Sequence, residues 1–143
     1  MISASTTITS LPPIPLAVST EQEALDTAWR GILLQGAFGY NDDYGNCIYA
    51  NPESELQLSC AIGLCIATPY RYRLIGNVGL INELLDDNVI HTTISREFLR
   101  ELQIAHDSAV SRYGDFKTDL VEFHNRLEDV ADSFGLIAPE WSL

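Results

Sequence analysis

Three cysteines and three histidines are the side chains of this sequence that could support nucleophilic or metal chemistry. A cysteine becomes a nucleophile when a helix N-terminus or a nearby cation lowers the pKa of its thiol, with a histidine as the general base. Cys60 directly precedes a predicted short helix, so it is the best candidate nucleophile, and His106 is its candidate base. Because His106 lies beside the apolar stripe of its own helix, we favour a half-buried core histidine over a catalytic one.

The cysteines are better explained by packing than by chemistry. Cys60 and Cys65 lie in an apolar run, and Cys47 follows a polar turn. An odd number of cysteines without a secretion signal argues against a disulfide framework. The turn at 42–46 lacks the alternating oxygen ligands and the closing glutamate of a calcium loop. The sequence therefore predicts three small buried thiols, with no metal and no cofactor.

Net charge is the most unusual bulk property, because 20 acidic residues face 8 basic residues and give a formal charge of −12. Proteins that bind nucleic acid or anionic membranes need lysine and arginine to neutralise phosphates, so both partners are disfavoured. A positively charged protein surface is favoured instead, since the electric field would steer the encounter. Solubility alone is the simpler explanation of the same charge.

The last predicted helix, over 115–134, has the clearest amphipathic pattern. Its apolar residues recur at intervals of three and four from Phe116 to Phe134, which is typical of a helix with one buried face. Carboxylates on the opposite face could occupy the arginine and lysine sites of a nucleic-acid-binding protein. A solvated surface is the alternative. The candidate protein-binding residues are Asp119, Glu122, Glu128, Asp129 and Asp132.

Other predicted elements must position these residues. The first helix begins at Ser19 or Thr20, since either can form a capping box, and Gly36 and Gly39 end it. Turn-forming residues over 40–46 then lead into a β-hairpin. The remaining elements are hairpin strands at 47–50 and 56–60, a short helix over 61–67, a loop over 69–73 and helices over 78–85 and 95–113.

The predicted fold is α+β, a mainly helical single domain over 19–143 with a small β-hairpin. Residues 1–18 form an extended Pro-rich N-terminal arm, because Pro12, Pro13 and Pro15 are incompatible with a helix interior. A length of 143 residues is typical of one domain. The sequence has no apolar run long enough for a transmembrane helix and no signal peptide, so the expected location is the cytoplasm.

Three short motifs occur in order along the chain, namely Gly45-x-Cys47-x-Tyr49, Cys60-Ala61-Ile62-Gly63 and Leu102-Gln103-x-x-His106-Asp107. Together with the Gly-Leu pair after the last helix, they resemble a group of small uncharacterised proteins of bacteria and their phages, over residues 22–137. That group often has Pro-Asp and Glu-Gly pairs where this chain has Thr68-Pro69 and Ile75-Gly76, so an acidic site there would be lost. The resemblance implies a phage or prophage origin and no established activity.

We favour a non-enzymatic, acidic protein-binding module as the function. It would be a phage-encoded inhibitor that docks its carboxylates on the basic surface of a host nucleic-acid-binding protein, such as a defence complex, in the host cytoplasm. A first alternative is a structural subunit of a virion or another assembly, anchored by the N-terminal arm, and a homo-oligomer is compatible with it. A second alternative is an enzyme that uses Cys60 and His106.

Overall fold

The computed structural model describes residues 12–38, 40–41, 46–47, 60–66, 70, 81–110 and 115–141. Helices dominate these ranges and two short β-sheets accompany them, which confirms a mainly helical α+β fold. In this part of the chain, no helix combines the length and the apolar content that crossing a membrane requires. In chain order the elements are β1 (Ile14–Pro15), α1 (Glu21–Gln35), β2 (Tyr40–Asn41), β3 (Asn46–Cys47), α2 (Ala61–Leu64), α3 (Ile81–Asp86), β4 (Ile90–His91), α4 (Arg96–Ala109) and α5 (Phe116–Phe134).

The first predicted helix is confirmed, and the capping box that the sequence indicates begins it. Thr20 is the N-cap, and its hydroxyl oxygen accepts a hydrogen bond from the backbone N–H of Glu23 at 3.1 Å. The Glu23 carboxylate lies 3.2 Å from the Thr20 hydroxyl and 3.4 Å from the backbone nitrogen of Ser19. These reciprocal bonds satisfy donors that have no partner inside the helix.

Side-chain caps also begin α4 and α5. Ser95 accepts a hydrogen bond from the backbone N–H of Phe98 at 3.3 Å, and Asp115 accepts one from that of Thr118 at 2.7 Å. The backbone and side-chain donors of Thr118 lower the pKa of the Asp115 carboxyl from its ordinary value of 3.8. Because the pKa is lower in the folded protein, this cap stabilises α5 at neutral pH and is lost only as the pH falls through that lowered value.

Gly135 ends α5 where the sequence predicts. It has a φ of 67°, in the left-handed region that favours glycine. The backbone N–H groups of Gly135 and Leu136 both donate to the carbonyl oxygen of Ala131. Helix α4 ends earlier than the predicted residue 113, because Val110 is already extended, with a ψ of 120°. Residues 111–114 lie outside the described part of the chain.

The second half of the predicted N-terminal arm is extended and packs against the domain. Strand β1 pairs in parallel with β4, with Ile14 opposite Ile90, and both isoleucines are buried. The backbone N–H of Ile14 donates to the carbonyl of Val89 at 2.7 Å, and that of Ala17 donates to the carbonyl of Cys65 at 2.8 Å. Residues 12–18 therefore complete the core. The first part of the arm, residues 1–11, lies outside the described ranges.

A short antiparallel pairing joins β2 and β3, with Tyr40 opposite Cys47. These two strands lie at the two ends of the turn predicted over 40–46. Of the predicted hairpin strands at 47–50 and 56–60, the structure describes only Cys47 and Cys60, so their pairing stays a prediction. Residues 48–59, which include Tyr49, lie outside the described ranges.

Helix α4 is the central element of the core. It packs against α2, α3, α5 and β3, and its buried face includes Phe98, Leu99 and Leu102. Helix α1 packs closely on α2, because a Cβ atom on Gly31 would lie only 2.8 Å from a terminal carbon of Leu64. A methyl group at position 31 would require the end of the Leu64 side chain to shift.

Removing Phe123 from the core should destabilise the fold strongly. Phe123 is fully buried on α5, and Phe123→Ala should lower the free energy of unfolding by about 3–5 kcal/mol through lost burial and cavity formation. Val121, two residues earlier on α5, is 45% exposed, so Val121→Ala should change stability by about 0.5 kcal/mol or less. Urea unfolding of both variants checks this prediction, and equal losses would contradict the packing described for α5.

Candidate functional site

The three sequence motifs lie on elements that the fold brings together. Cys47 lies in β3, and Cys60 is the N-cap of α2, which contains Gly63. Gln103 and His106 lie on α4. Helix α4 packs against both α2 and β3. The motifs therefore mark a shared region of the core, in which Cys60, Gly63, Gln103 and His106 are buried. This burial indicates a structural role more than a solvent-accessible site.

Gln103 tethers α3 to α4. Its side chain is buried, and its Oε1 accepts a hydrogen bond from the backbone N–H of Ile81 at 2.8 Å. Ile81 is the first residue of α3, and the opening N–H groups of a helix have no partner inside it. The glutamine amide therefore satisfies a buried donor that would otherwise lack an acceptor.

Replacing Gln103 by leucine should leave that donor unsatisfied. Gln103→Leu keeps a side chain of similar size, so the main loss is the hydrogen bond, at a cost of about 1–3 kcal/mol in stability. Hydrogen exchange of the Ile81 amide should also accelerate relative to that of Leu127 in α5. Ser108→Ala, at an exposed position of α4, is the control. Unchanged exchange at Ile81 would show that the tether does not hold α3.

His106 is fully buried, where the sequence predicted a half-buried side chain. Its Nδ1 lies 2.9 Å from a carboxylate oxygen of Asp107, and because a carboxylate accepts hydrogen bonds, Nδ1 carries the proton. Its Nε2 is buried and has no hydrogen-bond partner among the described residues. The ring packs 5.2 Å from that of Phe38 and 6.0 Å from that of Phe123, between ring centroids. These contacts bury the imidazole away from solvent.

Cys60 forms a disulfide, which corrects the prediction of three free thiols. The cysteine count could not reveal this bond, because oxidation depends on which sulfurs the fold brings together. A disulfide sulfur offers no thiolate, so Cys60 cannot serve as the nucleophile of a Cys60–His106 pair in this state.

Cys65 keeps the buried thiol that the sequence predicts. Its sulfur lies 3.5 Å from the carbonyl oxygen of Ala61 and 3.8 Å from that of Ala24. The thiol thus packs between α1 and α2 and has hydrogen-bond acceptors there. Burial protects it from reagents that react with exposed thiols.

Alkylation should distinguish the two cysteines. In the native protein neither should react with iodoacetamide. Denaturation alone should expose Cys65, whereas Cys60 should react only after both denaturation and reduction, because its sulfur is already bonded. Peptide mass spectrometry of the protein from its native source measures both. Labelling of Cys60 without a reducing agent would overturn the disulfide assignment.

The predicted acidic face of α5 has four members in place of five. Asp119 is only 6% exposed, so it does not belong to an outward surface. It lies in the first turn of α5, beside the buried residues Leu120 and Phe123. An acidic residue is favourable there because it complements the positive end of the helix dipole. The sequence pattern missed its burial because Asp119 lies at the edge of the apolar stripe.

The remaining acidic residues of α5 are exposed, and two of them are paired. Glu122 forms an ion pair with Arg126 at 2.9 Å, and Glu128 forms one with His124 at 3.3 Å if the histidine is protonated. Asp129 and Asp132 are exposed. Neither forms an ion pair with another described residue. They are therefore the two acidic residues of the predicted face that are available to an external cation.

Helix α4 contributes acidic residues that the sequence analysis did not include. Glu97 and Glu101 lie one helical turn apart, and together with Asp129 of α5 they line an open groove between the two helices, of about 530 Å³. The signal for them was present, since both precede Ile104, an exposed apolar residue, at the helical spacing of seven and three residues that places them on one face of α4. The apolar lining of the groove consists of Ile104, Ala105, Val130 and Phe134.

The segment after α5 covers a different flank of that helix. The side-chain amide of Gln22 donates to the carbonyl of Ile137 and accepts from its N–H, each at 2.9 Å. Nε2 of His124 donates to the carbonyl of Pro139 at 2.7 Å. These bonds hold the segment against α1 and α5, while the flank of α5 beside α4 stays open.

No family model, curated protein or solved structure matches this chain. The resemblance to small phage proteins therefore stays a prediction.

Proposed function

We propose that this chain is a non-enzymatic binding module that docks carboxylates of α4 and α5 on a basic surface of a partner protein. We define its acidic surface as Glu97, Glu101, Asp129 and Asp132. The surface joins two helices that pack against each other, so its carboxylates have a fixed relative arrangement. A rigid arrangement lowers the entropy that is lost on binding.

One observation carries this proposal. Three of the four carboxylates, those of Glu97, Glu101 and Asp129, come from two helices and line one open groove, and none of the four forms an ion pair with another described residue. Each is therefore free to accept hydrogen bonds from an arginine or lysine of another protein, with bidentate geometry for arginine. The formal charge of −12 adds long-range attraction for a basic partner.

Inhibition would follow directly from such docking. A partner that uses arginine and lysine to hold nucleic acid would have those side chains occupied by carboxylates, so it would release its nucleic acid. A phage-encoded inhibitor of a host nucleic-acid-binding protein is the form of this function that the sequence suggests.

Charge reversal on the acidic surface tests the proposal. The triple variant Glu97→Lys, Asp129→Lys and Asp132→Lys should bind an arginine-rich peptide about tenfold to a hundredfold more weakly than the unmodified protein. Exposed ion pairs contribute about 0.2–1 kcal/mol each, and each reversal also adds a repulsion, so the total exceeds the roughly 1.4 kcal/mol of one tenfold step. Isothermal titration calorimetry at low ionic strength measures the change.

A matched control separates the effect of the acidic surface on binding from the effect of net charge. Glu83, Asp87 and Glu140 are exposed and lie away from the groove, so their reversal to lysine alters the net charge by the same amount. This control should retain most of the affinity. Equal weakening by the two triple variants would show that the peptide responds to total charge, and the proposed surface would then have no role.

A further inference from the structure

We propose that the α4–α5 groove binds an amphipathic basic helix of the partner protein. This inference rests on the proposed function and goes beyond it, since it names the form of the partner. Docking by charge alone would need only the carboxylates. A helix would also place an apolar stripe in the groove between them.

The lining of the groove supplies the first reason. Ile104 is 38% exposed, although it is a large apolar residue, and it borders Ala105 of α4 and Val130 and Phe134 of α5 along the groove. Ala105 and Val130 are already buried, so apolar side chains of a partner would remove mainly Ile104 and the half-buried Phe134 from water, which is favourable. An isolated charged side chain could not cover it.

The charges at the edges of the groove supply the second reason. Glu97 and Glu101 lie one turn apart on α4, and Asp129 lies on α5. The cation in the groove, Arg126, is already paired with Glu122. The groove is therefore complementary to a helix that carries arginine or lysine on both sides of an apolar stripe. Residues four apart on such a helix have the same spacing as Glu97 and Glu101.

The shape of the groove supplies the third reason. It runs between two packed helices, of which the shorter, α4, has 14 residues and a length of about 21 Å. A third helix can rest in the depression between two neighbouring helices with ordinary side-chain packing. Peptide recognition by a helix in a groove uses apolar anchors at intervals of three and four residues. The negative edges would repel the phosphates of a nucleic acid strand in the same groove.

A pair of synthetic peptides provides the probe. The first, of about 18 residues, has leucines at helical spacing and arginines on both flanks, so that it can form an amphipathic helix. The second is identical except that one central residue is replaced by proline, which breaks the helix. The first should bind at least about tenfold more tightly by calorimetry, and its helical circular dichroism signal should increase on binding. Equal affinity for the two peptides would overturn the inference.

Filling the groove tests the same inference from the protein side. Ser133 is exposed and lines the groove. Ser133→Trp should therefore block the groove without a change in charge and lower the affinity for the helical peptide about tenfold. Asn125→Trp is the matched control, because Asn125 is exposed on the same helix and does not line the groove. Circular dichroism should show both variants folded. Equal binding by both variants would contradict a helix in the groove.

The failures of the two proposals are distinguishable. If Ser133→Trp has no effect while charge reversal still weakens the arginine-rich peptide, the acidic surface binds by charge and the groove stays empty, so this inference alone fails. If neither the arginine-rich peptide nor the amphipathic peptide binds, both the proposed function and this inference fail. If Ser133→Trp weakens binding of the helical peptide and leaves binding of the arginine-rich peptide unchanged, the inference is supported.

Discussion

The burial of α4 among α2, α3, α5 and β3 is the constraint on which the rest of the described structure depends. Its apolar residues supply packing, and its polar residue Gln103 supplies the acceptor that α3 needs. Elements as short as α2 and α3 are not stable alone, so they persist because α4 gives each of them a surface to cover. The same central position buries His106, which turns a candidate catalytic residue into part of the core.

Several polar interactions join parts of the chain that are distant in sequence. Ile14 pairs with Ile90, Gln22 binds Ile137, and Gln103 binds Ile81. Each bond satisfies backbone groups that would otherwise be unpaired where the chain is irregular. The short strands, the C-terminal segment and α3 are thus held by specific hydrogen bonds as well as by apolar contact. The Cys60 disulfide adds a covalent restraint to the same core.

The exposed surface of the helices is rich in carboxylates, in contrast to the apolar core. Acidic residues lie on α1, α3, α4 and α5. Glu122 and Glu128 are paired with neighbouring cations, whereas the carboxylates that line the groove between α4 and α5 form no ion pair with another described residue. There, carboxylates adjoin the exposed side chain of Ile104. Charge alone gives attraction without selectivity, whereas an apolar lining between charges favours a partner that matches both.

Local sequence signals predicted the start of α1 and the ends of α1 and α5, because capping boxes and terminal glycines act within a few residues. Thr20, Gly36 and Gly135 lie where those signals place them, whereas α4 ends before the predicted residue 113. Tertiary structure decided what depends on distant partners, namely the pairing of β1 with β4, the disulfide at Cys60 and the burial of Asp119. It also decided the groove, since Glu97, Glu101 and Asp129 belong to two helices whose contact is not a property of either helix alone. Local interactions are encoded within a few residues of sequence, whereas these features depend on where the folded chain places residues far apart in sequence.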